Sequence, residues 1–357
     1  MVGTTSEKSI GVNGPEQSDP TVEIRTLADL ARIAGVSAGT VSRALAGKSL
    51  VNAETRDRIQ ALARQYGFRP NQMASKLRSR RTGVIGVVIP LGHEKRQHIS
   101  DPFFLTLLGH LADALTESGY DLMLSRAIPD GTADWLERMT GSGMVDGVLV
   151  IGQSDQAEVI DGVAANYKPL VVWGQYRAGQ THLAVGTDNE LGGRLAAEHL
   201  ISCGARNIAF LGETTGIEIA MRHQGAQTAC TAAGLTLRHL RVSLAHDEMG
   251  PQVAAALAQA NTDIDGIVAA SDLIALTALR TLHDNGRPVP AQVQVVGFDD
   301  LPIATLSMPP LTTIRQEIGE GAAQMVDKLK ARIAGDASVA SSVTPPRLIV
   351  RGTTRPA

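Results

Sequence analysis

From Gly83 almost to its end the chain repeats one pattern, a short apolar run followed by an amphipathic stretch of helical period. That alternation leaves few folds open. VIGVVIP (84–90), YDLMLS (120–125), DGVLVIG (146–152) and LVVWG (170–174) read as strands buried on both faces. FFLTLLGHLADALTESG, ADWLERMTGSG and QAEVIDGVAANY lie between them and read as helices. A second set follows: NIAFLGE (207–213), LRVSLA (240–245), GIVAAS (266–271) and VQVVGFDD (293–300), with helices in ELGGRLAAEHLISCG and SDLIALTALRTLHDNG. Two such sets in tandem predict two doubly wound α/β lobes with a ligand cleft at the carboxyl ends of their strands. The aromatic content of 3% suits helices packed on parallel strands better than a β-sandwich.

The first 82 residues follow other rules. Residues 1–22 are polar and free of aromatics, and a disordered leader is expected there. Thr26 is placed to cap a helix over 27–34, whose Leu27, Leu30, Ala31 and Ala34 share one face. Gly35 suits a tight turn, and Ser37 is placed to cap a second helix over 38–46. This is the helix-turn-helix pattern, an all-α head in which the second helix enters the major groove. Its outward residues are Ala38, Gly39, Thr40, Ser42 and Arg43; Arg43 suits guanine, and Thr40 and Ser42 suit phosphate oxygens. Asn52 caps a third predicted helix, and Asn71 opens the short segment NQMASKLRSRR, in which Leu77 is the large apolar residue. Paired with a symmetry mate, that segment could wedge Leu77 between base steps.

Charge divides the chain in the same place. Residues 22–82 hold twelve basic and four acidic groups, a net of +8, whereas residues 83–357 hold twenty and twenty-nine, a net of −9. A small basic head on an acidic body is the layout of a nucleic-acid binder with a second task. The predicted domains are a leader (1–22), a helix-turn-helix domain (23–69), a hinge (70–82) and a two-lobed body (83–357).

TLADLARIAGVS, TVSRAL, NAETRDRIQALARQYGFRPN and ASKL occur in the order and spacing of the lactose-repressor (LacI/GalR) family, which the chain resembles over residues 26–82. The resemblance continues through VDGVLV, GTDNELGGRLAAEHLISCGARNIAFLGE, RHQGAQTACTAAG, AASDLIALTALRTL, VQVVGFDD and PPLTTIRQ. It implies a body like periplasmic sugar-binding proteins, with crossings between lobes near residues 186–189 and 313–316 and before the last strand. It also implies a homodimer on a near-palindromic double-stranded DNA operator, a recognition helix carrying Thr40, Ser42 and Arg43, Asn52 and Asn71 near phosphates, and Leu77 as the wedge. Ala38 and Gly39 depart from the family by offering little hydrogen bonding, which shifts readout toward Arg43, Thr40 and DNA deformation.

Strand ends and family positions together nominate an effector site: Arg222 to grip polar groups, Asp299, Asp272 and Gln316 at or beside strand ends, and Phe103, Phe104 and Trp173 as flat apolar faces. Such groups suit a small carbohydrate, a glucoside or short oligosaccharide. Asp272 could instead cap the following helix, Trp173 could be core, and Asp300 and Arg315 could form an interlobe salt bridge. Ser271 and Gly174 stand where the family often has asparagine and an acidic residue.

The alternatives are a sugar receptor without DNA function, which should carry a secretory signal and no basic head, and a regulator of another ligand such as a purine. The histidines lack HExxH or triad spacing and no GxGxxG opens a helix, so no enzyme is expected. Cys203 and Cys230 have no metal-ligand spacing around them, and neither metal nor cofactor is expected. A cytoplasmic protein with no membrane span completes the expectation.

Overall fold

The computed structural model describes residues 24–46, 51–68, 81–91, 96–127, 134–153, 155–259 and 263–356. The predicted leader, Asn71, Leu77 and the hinge as far as residue 80 lie outside them. The chain divides into two compact units, residues 1–80 and 81–357.

In the first unit α1 (Leu27–Ala34), α2 (Ala38–Leu45) and α3 (Ala53–Gln65) each begin at a polar cap. Thr26 and Asp29 form a reciprocal capping box, Ser37 accepts from Thr40 N–H, and Asn52 accepts from Thr55 N–H. Gly35 closes α1 with φ +64°, a conformation a side chain would resist, and so turns the chain into α2. Leu30, Val41, Ala44 and Ile59, one or two from each helix, are fully buried at the centre.

The second unit has two lobes. Lobe 1 is a six-stranded parallel sheet built on β1 (Val84–Pro90), β2 (Asp121–Ala127), β3 (Gly147–Ile151), β4 (Leu170–Trp173) and β5 (Leu183–Thr187). Its helices are α4 (Pro102–Glu117), α5 (Trp135–Gly141) and α6 (Ala157–Asn166). Lobe 2 holds β6 (Ile208–Leu211), β7 (Arg238–Leu240), β8 (Gly266–Ala269), β9 (Gln294–Asp299) and β10 (Thr312–Arg315). It is completed by α7 (Asn189–Ser202), α8 (Ile217–Ala232), α9 (His246–Gln259) and α10 (Asp272–Asp284).

The chain then returns to lobe 1 as α11 (Ile318–Ile333), packed on α4, and β11 (Ser342–Thr344), parallel to β5, before β12 (Arg347–Ile349) adds antiparallel to β10. The strand orders are β11-β5-β4-β3-β1-β2 and β12-β10-β9-β8-β6-β7. Three crossings join the lobes, after β5, after β10 and after β11. The two lobes are therefore interleaved by the return of α11 and are not a plain tandem.

One predicted strand moves. LRVSLA is a strand only up to Leu240, because its neighbour β6 ends at Leu211 and no ladder exists beyond that pair. Val242 and Ala245 are nonetheless fully buried, so their apolar character marks packing and not pairing. Lobe 2 also depends on one close approach: a Cβ on Gly193 of α7 would lie 1.9 Å from the Arg222 carbonyl, and one on Gly225 of α8 1.8 Å from that of Glu190. Glycine at these positions lets the two helices touch along their backbones and sets where Arg222 stands. Cys203 and Cys230 are buried free thiols.

Candidate functional site

On the helical head, Thr26, Ser37, Ala38, Gly39, Arg43 and Asn52 are exposed, and Thr40 and Ser42 are half-buried. Ser37 Oγ and Thr40 Oγ1 are 2.9 Å apart, so the cap also holds the Thr40 hydroxyl. Arg43 Nε donates to the Gly39 carbonyl at 3.1 Å, which lays the guanidinium along the start of α2. Arg58 Nη2 donates to Ala34 O at 2.9 Å and ties α3 to the end of α1, so this cation braces the fold. Small residues open the capped helix α2, and Arg43, in its last turn, folds its guanidinium back toward them, which leaves an open surface with one cation on it.

In the body, the carboxyl ends of β1, β3, β4 and β5 face those of β8, β9 and β10 across a cleft. It encloses about 110 Å³ and is lined by Leu91, Ile151, Trp173, Thr187, Ala270, Asp299 and Gln316 among others. Six of the seven nominated effector residues line it: Phe103, Phe104, Trp173, Arg222, Asp299 and Gln316. The Phe103 ring lies 6.1 Å from Trp173 and 5.8 Å from Phe104, giving one wall three aromatic surfaces.

Arg222 is held by two hydrogen bonds and a ring contact. Its Nε donates to Asn189 Oδ1 at 2.9 Å and its Nη1 to Ala270 O at 2.6 Å, while the guanidinium carbon lies 3.7 Å over the Phe298 ring. Burial lowers its pKa against the opposing pull of Asp299, Glu218 and Asp272. Asp299 is 3% exposed and accepts from Gln316 Nε2 at 2.7 Å. Burial raises its pKa to about 7, though Arg222 and the Gln316 amide pull it down.

The backbone that presents Asp299 is strained, with φ +116° at Asp299 and +58° at Asp300. Asp300 anchors this turn by accepting from Arg315 Nε at 2.6 Å and from Arg351 Nη2 at 2.5 Å. All three belong to lobe 2, so the predicted interlobe bridge between Asp300 and Arg315 is instead a clamp on the strand end.

Asp272 is the nominated residue that does not reach the cleft. It is fully buried, with Oδ2 accepting from Leu301 N–H at 2.8 Å and Oδ1 from the Thr313 hydroxyl at 2.5 Å. Nor does it cap α10: Ser271 does, accepting from Ile274 N–H at 3.3 Å. Asp272 is the first residue of that helix and turns inward to brace the loop after β9, and burial holds its pKa well above the usual carboxylate range.

Several cleft residues were not nominated from sequence. Asp101 caps α4 through Phe103 N–H, and Gln97 donates to it at 3.0 Å; burial raises the Asp101 pKa. The SDPFF motif contained that signal, since aspartate before a helix-opening proline is a cap. Asn189 supports both Arg222 and, at 3.0 Å, Gln175. Glu218 stands four residues before Arg222, one helical turn away on the same face. Among the described residues, no cluster of three potential metal ligands occurs, and no helix is long and apolar enough to cross a membrane.

Residues 26–71 match the family described as bacterial regulatory proteins, lacI family, and residues 197–354 match the periplasmic binding protein-like domain. The HTH-type transcriptional regulator CelR of Thermobifida fusca is 31% identical over 337 residues, which is 91% of this chain and 95% of that protein. A structure of a transcriptional regulator CelR–cellobiose complex has a TM-score of 0.64 at 29% identity, over 92% of this chain and 100% of that one. The lac repressor dimer bound to operator and the anti-inducer ONPF shares the fold, with a TM-score of 0.80 at 24% identity over 92% and 98% of the two chains.

Proposed function

The chain belongs to the lacI family of bacterial regulatory proteins, and from that footing we propose that it is a dimeric repressor of carbohydrate-utilisation genes. Its affinity for operator DNA is set by a small neutral sugar bound between the lobes. The observation that carries the reading is the composition of the cleft. Three aromatic faces stand opposite a guanidinium, a carboxyl and an amide that come from α8, β9 and the end of β10. Sugar rings have apolar faces and hydroxyl edges, and this arrangement supplies a partner for each. Three carboxyl groups, Asp101, Glu218 and Asp299, line the cleft against one guanidinium, that of Arg222, which disfavours a phosphorylated ligand. The cellobiose in the CelR complex supports the same ligand class.

The basic head supports DNA binding through α2, with Arg43 reading a base and Thr26, Ser37, Thr40, Ser42, Asn52 and Asn71 near the backbone. A two-fold dimer would read a near-palindrome, with Leu77 of each protomer wedged into the minor groove. A sugar that prefers one arrangement of the lobes then shifts the operator equilibrium by its difference in affinity for the two states. This reading has the protein work in the cytoplasm and catalyse nothing.

Thermal-shift screening of neutral mono- and disaccharides, with and without operator DNA, tests it. A sugar that raises the melting temperature of the free protein and weakens its operator complex is the expected result. Stabilisation by sugar phosphates or purines alone would overturn the ligand class, and no sequence-selective DNA binding would overturn the repressor reading.

A further inference from the structure

β1 enters the sheet of lobe 1 at Val84, and the two residues before it are fastened by one carboxylate. Asp146, which precedes β3, accepts through Oδ1 from Thr82 N–H at 2.5 Å and from Thr82 Oγ1 at 3.0 Å. Its Oδ2 accepts from Gly83 N–H at 2.8 Å. Successive backbone N–H groups make a concavity that suits an anion, and the turn that forms this one has Gly83 at φ +68°. From the other side of β1, Asp121 N–H donates to Gly83 O at 2.8 Å. Thr82 Oγ1 also accepts from Val84 N–H at 3.1 Å, a local bond that rounds the turn without tying it to β3.

The sheet does not need this clamp. The ladder of β1 with β2 begins at Val84 and Asp121, and that with β3 at Ile85 and Gly147, so both are complete without residues 82 and 83. What the clamp fixes lies in the other direction along the chain. The unit of residues 1–80 holds the helical head and the body begins at Arg81, so Asp146 fastens the segment by which the body carries the head.

We propose that Asp146 is a positioning residue for DNA recognition: by clamping Thr82 and Gly83 it fixes the reach of each head, and so makes the dimer select operators by the spacing of their half-sites. This rests on the repressor reading above. Without the Asp146 carboxylate the hold of lobe 1 on the segment retreats to the Gly83 carbonyl, which frees nearly two residues of backbone. Two residues span at most about 7 Å. One base-pair step advances about 3.4 Å along DNA, so slack on this scale in both protomers absorbs a one-step change between half-sites. A clamped dimer cannot follow that change without straining one head off its site.

The test measures binding of the full-length protein to a duplex enriched by wild type from a random library. The same duplex with one base pair added or removed between its half-sites, and a scrambled duplex, are the comparisons. Wild type, Asp146→Ala, Asp146→Asn and a form with two glycines inserted between Arg80 and Arg81 are titrated, with melting curves to confirm folding. Wild type is expected to lose about tenfold or more on the respaced duplexes. Asp146→Ala should lose only about threefold or less, with its affinity for the scrambled duplex unchanged, because no phosphate contact is removed. Asp146→Asn keeps one acceptor oxygen and should fall between the two; being nearly isosteric, it carries the test if the alanine variant does not fold. The insertion lengthens the tether with the clamp intact and should relax spacing as Asp146→Ala does. If wild type is indifferent to spacing, or the folded Asp146 variants discriminate as it does, or they weaken on all duplexes alike, the inference is wrong and the repressor reading stands. If the library yields no preferred duplex, both fall.

Discussion

Arg222 Nη1 stands 3.7 Å from Asp299 Oδ1, near enough to share charge and too far for a direct hydrogen bond. Each group is instead hydrogen-bonded to neighbours of its own, Arg222 to Asn189 and Ala270 and Asp299 to Gln316. The pair is charge-compensated without being closed, which leaves hydrogen-bonding capacity aimed into the cleft. A buried pair that saturated itself would offer a ligand nothing.

Arg222→Ala is expected to cost about 2–4 kcal/mol of effector binding, because ligand hydroxyls lose a charged donor. Arg222→Lys keeps the charge, loses the planar fork, and should recover only part of this. Titration calorimetry with the sugar found by screening decides the point. Unchanged affinity in Arg222→Ala would remove Arg222 from the site.

Asp299 gives a pH signature. Its pKa rises from 3.8 to about 7 on folding, so the folded state holds the proton more tightly than the unfolded one. The contribution to stability is full below the unfolded value and is lost as pH climbs toward 7. Asp299→Asn should flatten that fall. The melting temperature of wild type relative to the variant should be lower at pH 8 than at pH 5, by the equivalent of about 1–3 kcal/mol. A constant gap between those pH values would show that the carboxyl ionises freely.

Gly193→Ala places a methyl 1.9 Å from the Arg222 carbonyl, and α7 and α8 must part to admit it. A loss of at least about 2 kcal/mol is expected by denaturant unfolding, together with weaker effector binding as Arg222 shifts. Gly162→Ala, on α6 with nothing within 4 Å of the new methyl, is the control and should gain about 0.5–1 kcal/mol. Equal effects at the two glycines would discount the close approach.

The two units should separate functionally. Thr82 and Gly83 N–H donate to the Asp146 carboxylate, at 2.5 and 2.8 Å, so a truncation that respects the body begins at Arg81. Residues 81–357 should fold and bind sugar yet fail to bind operator in a mobility-shift assay. In the full chain, Arg43→Ala should weaken operator binding by about 1–3 kcal/mol and random DNA far less. Equal losses on both would make Arg43 a phosphate contact.

The sequence alone determined whatever rests on neighbours along the chain. Thr26, Ser37 and Asn52 were legible as caps because a cap bonds a backbone N–H three residues on, and β1, β3, β6 and β8 were legible because strands buried on both faces are continuous apolar runs. The short strands β10 and β11 carry no such run, and pairing partners brought by the fold made them strands. Asp272 shows the same division: its position after a strand nominated it for the cleft, and Leu301 and Thr313, far along the chain, turned it inward. Glu218 is the converse case. No local pattern predicts that it meets Gln175, forty-three residues earlier, because that contact exists only when two separately built lobes face each other. Local hydrogen bonding and periodicity are written in the order of residues, whereas the direction of a buried charge is settled by where the rest of the chain supplies its partners.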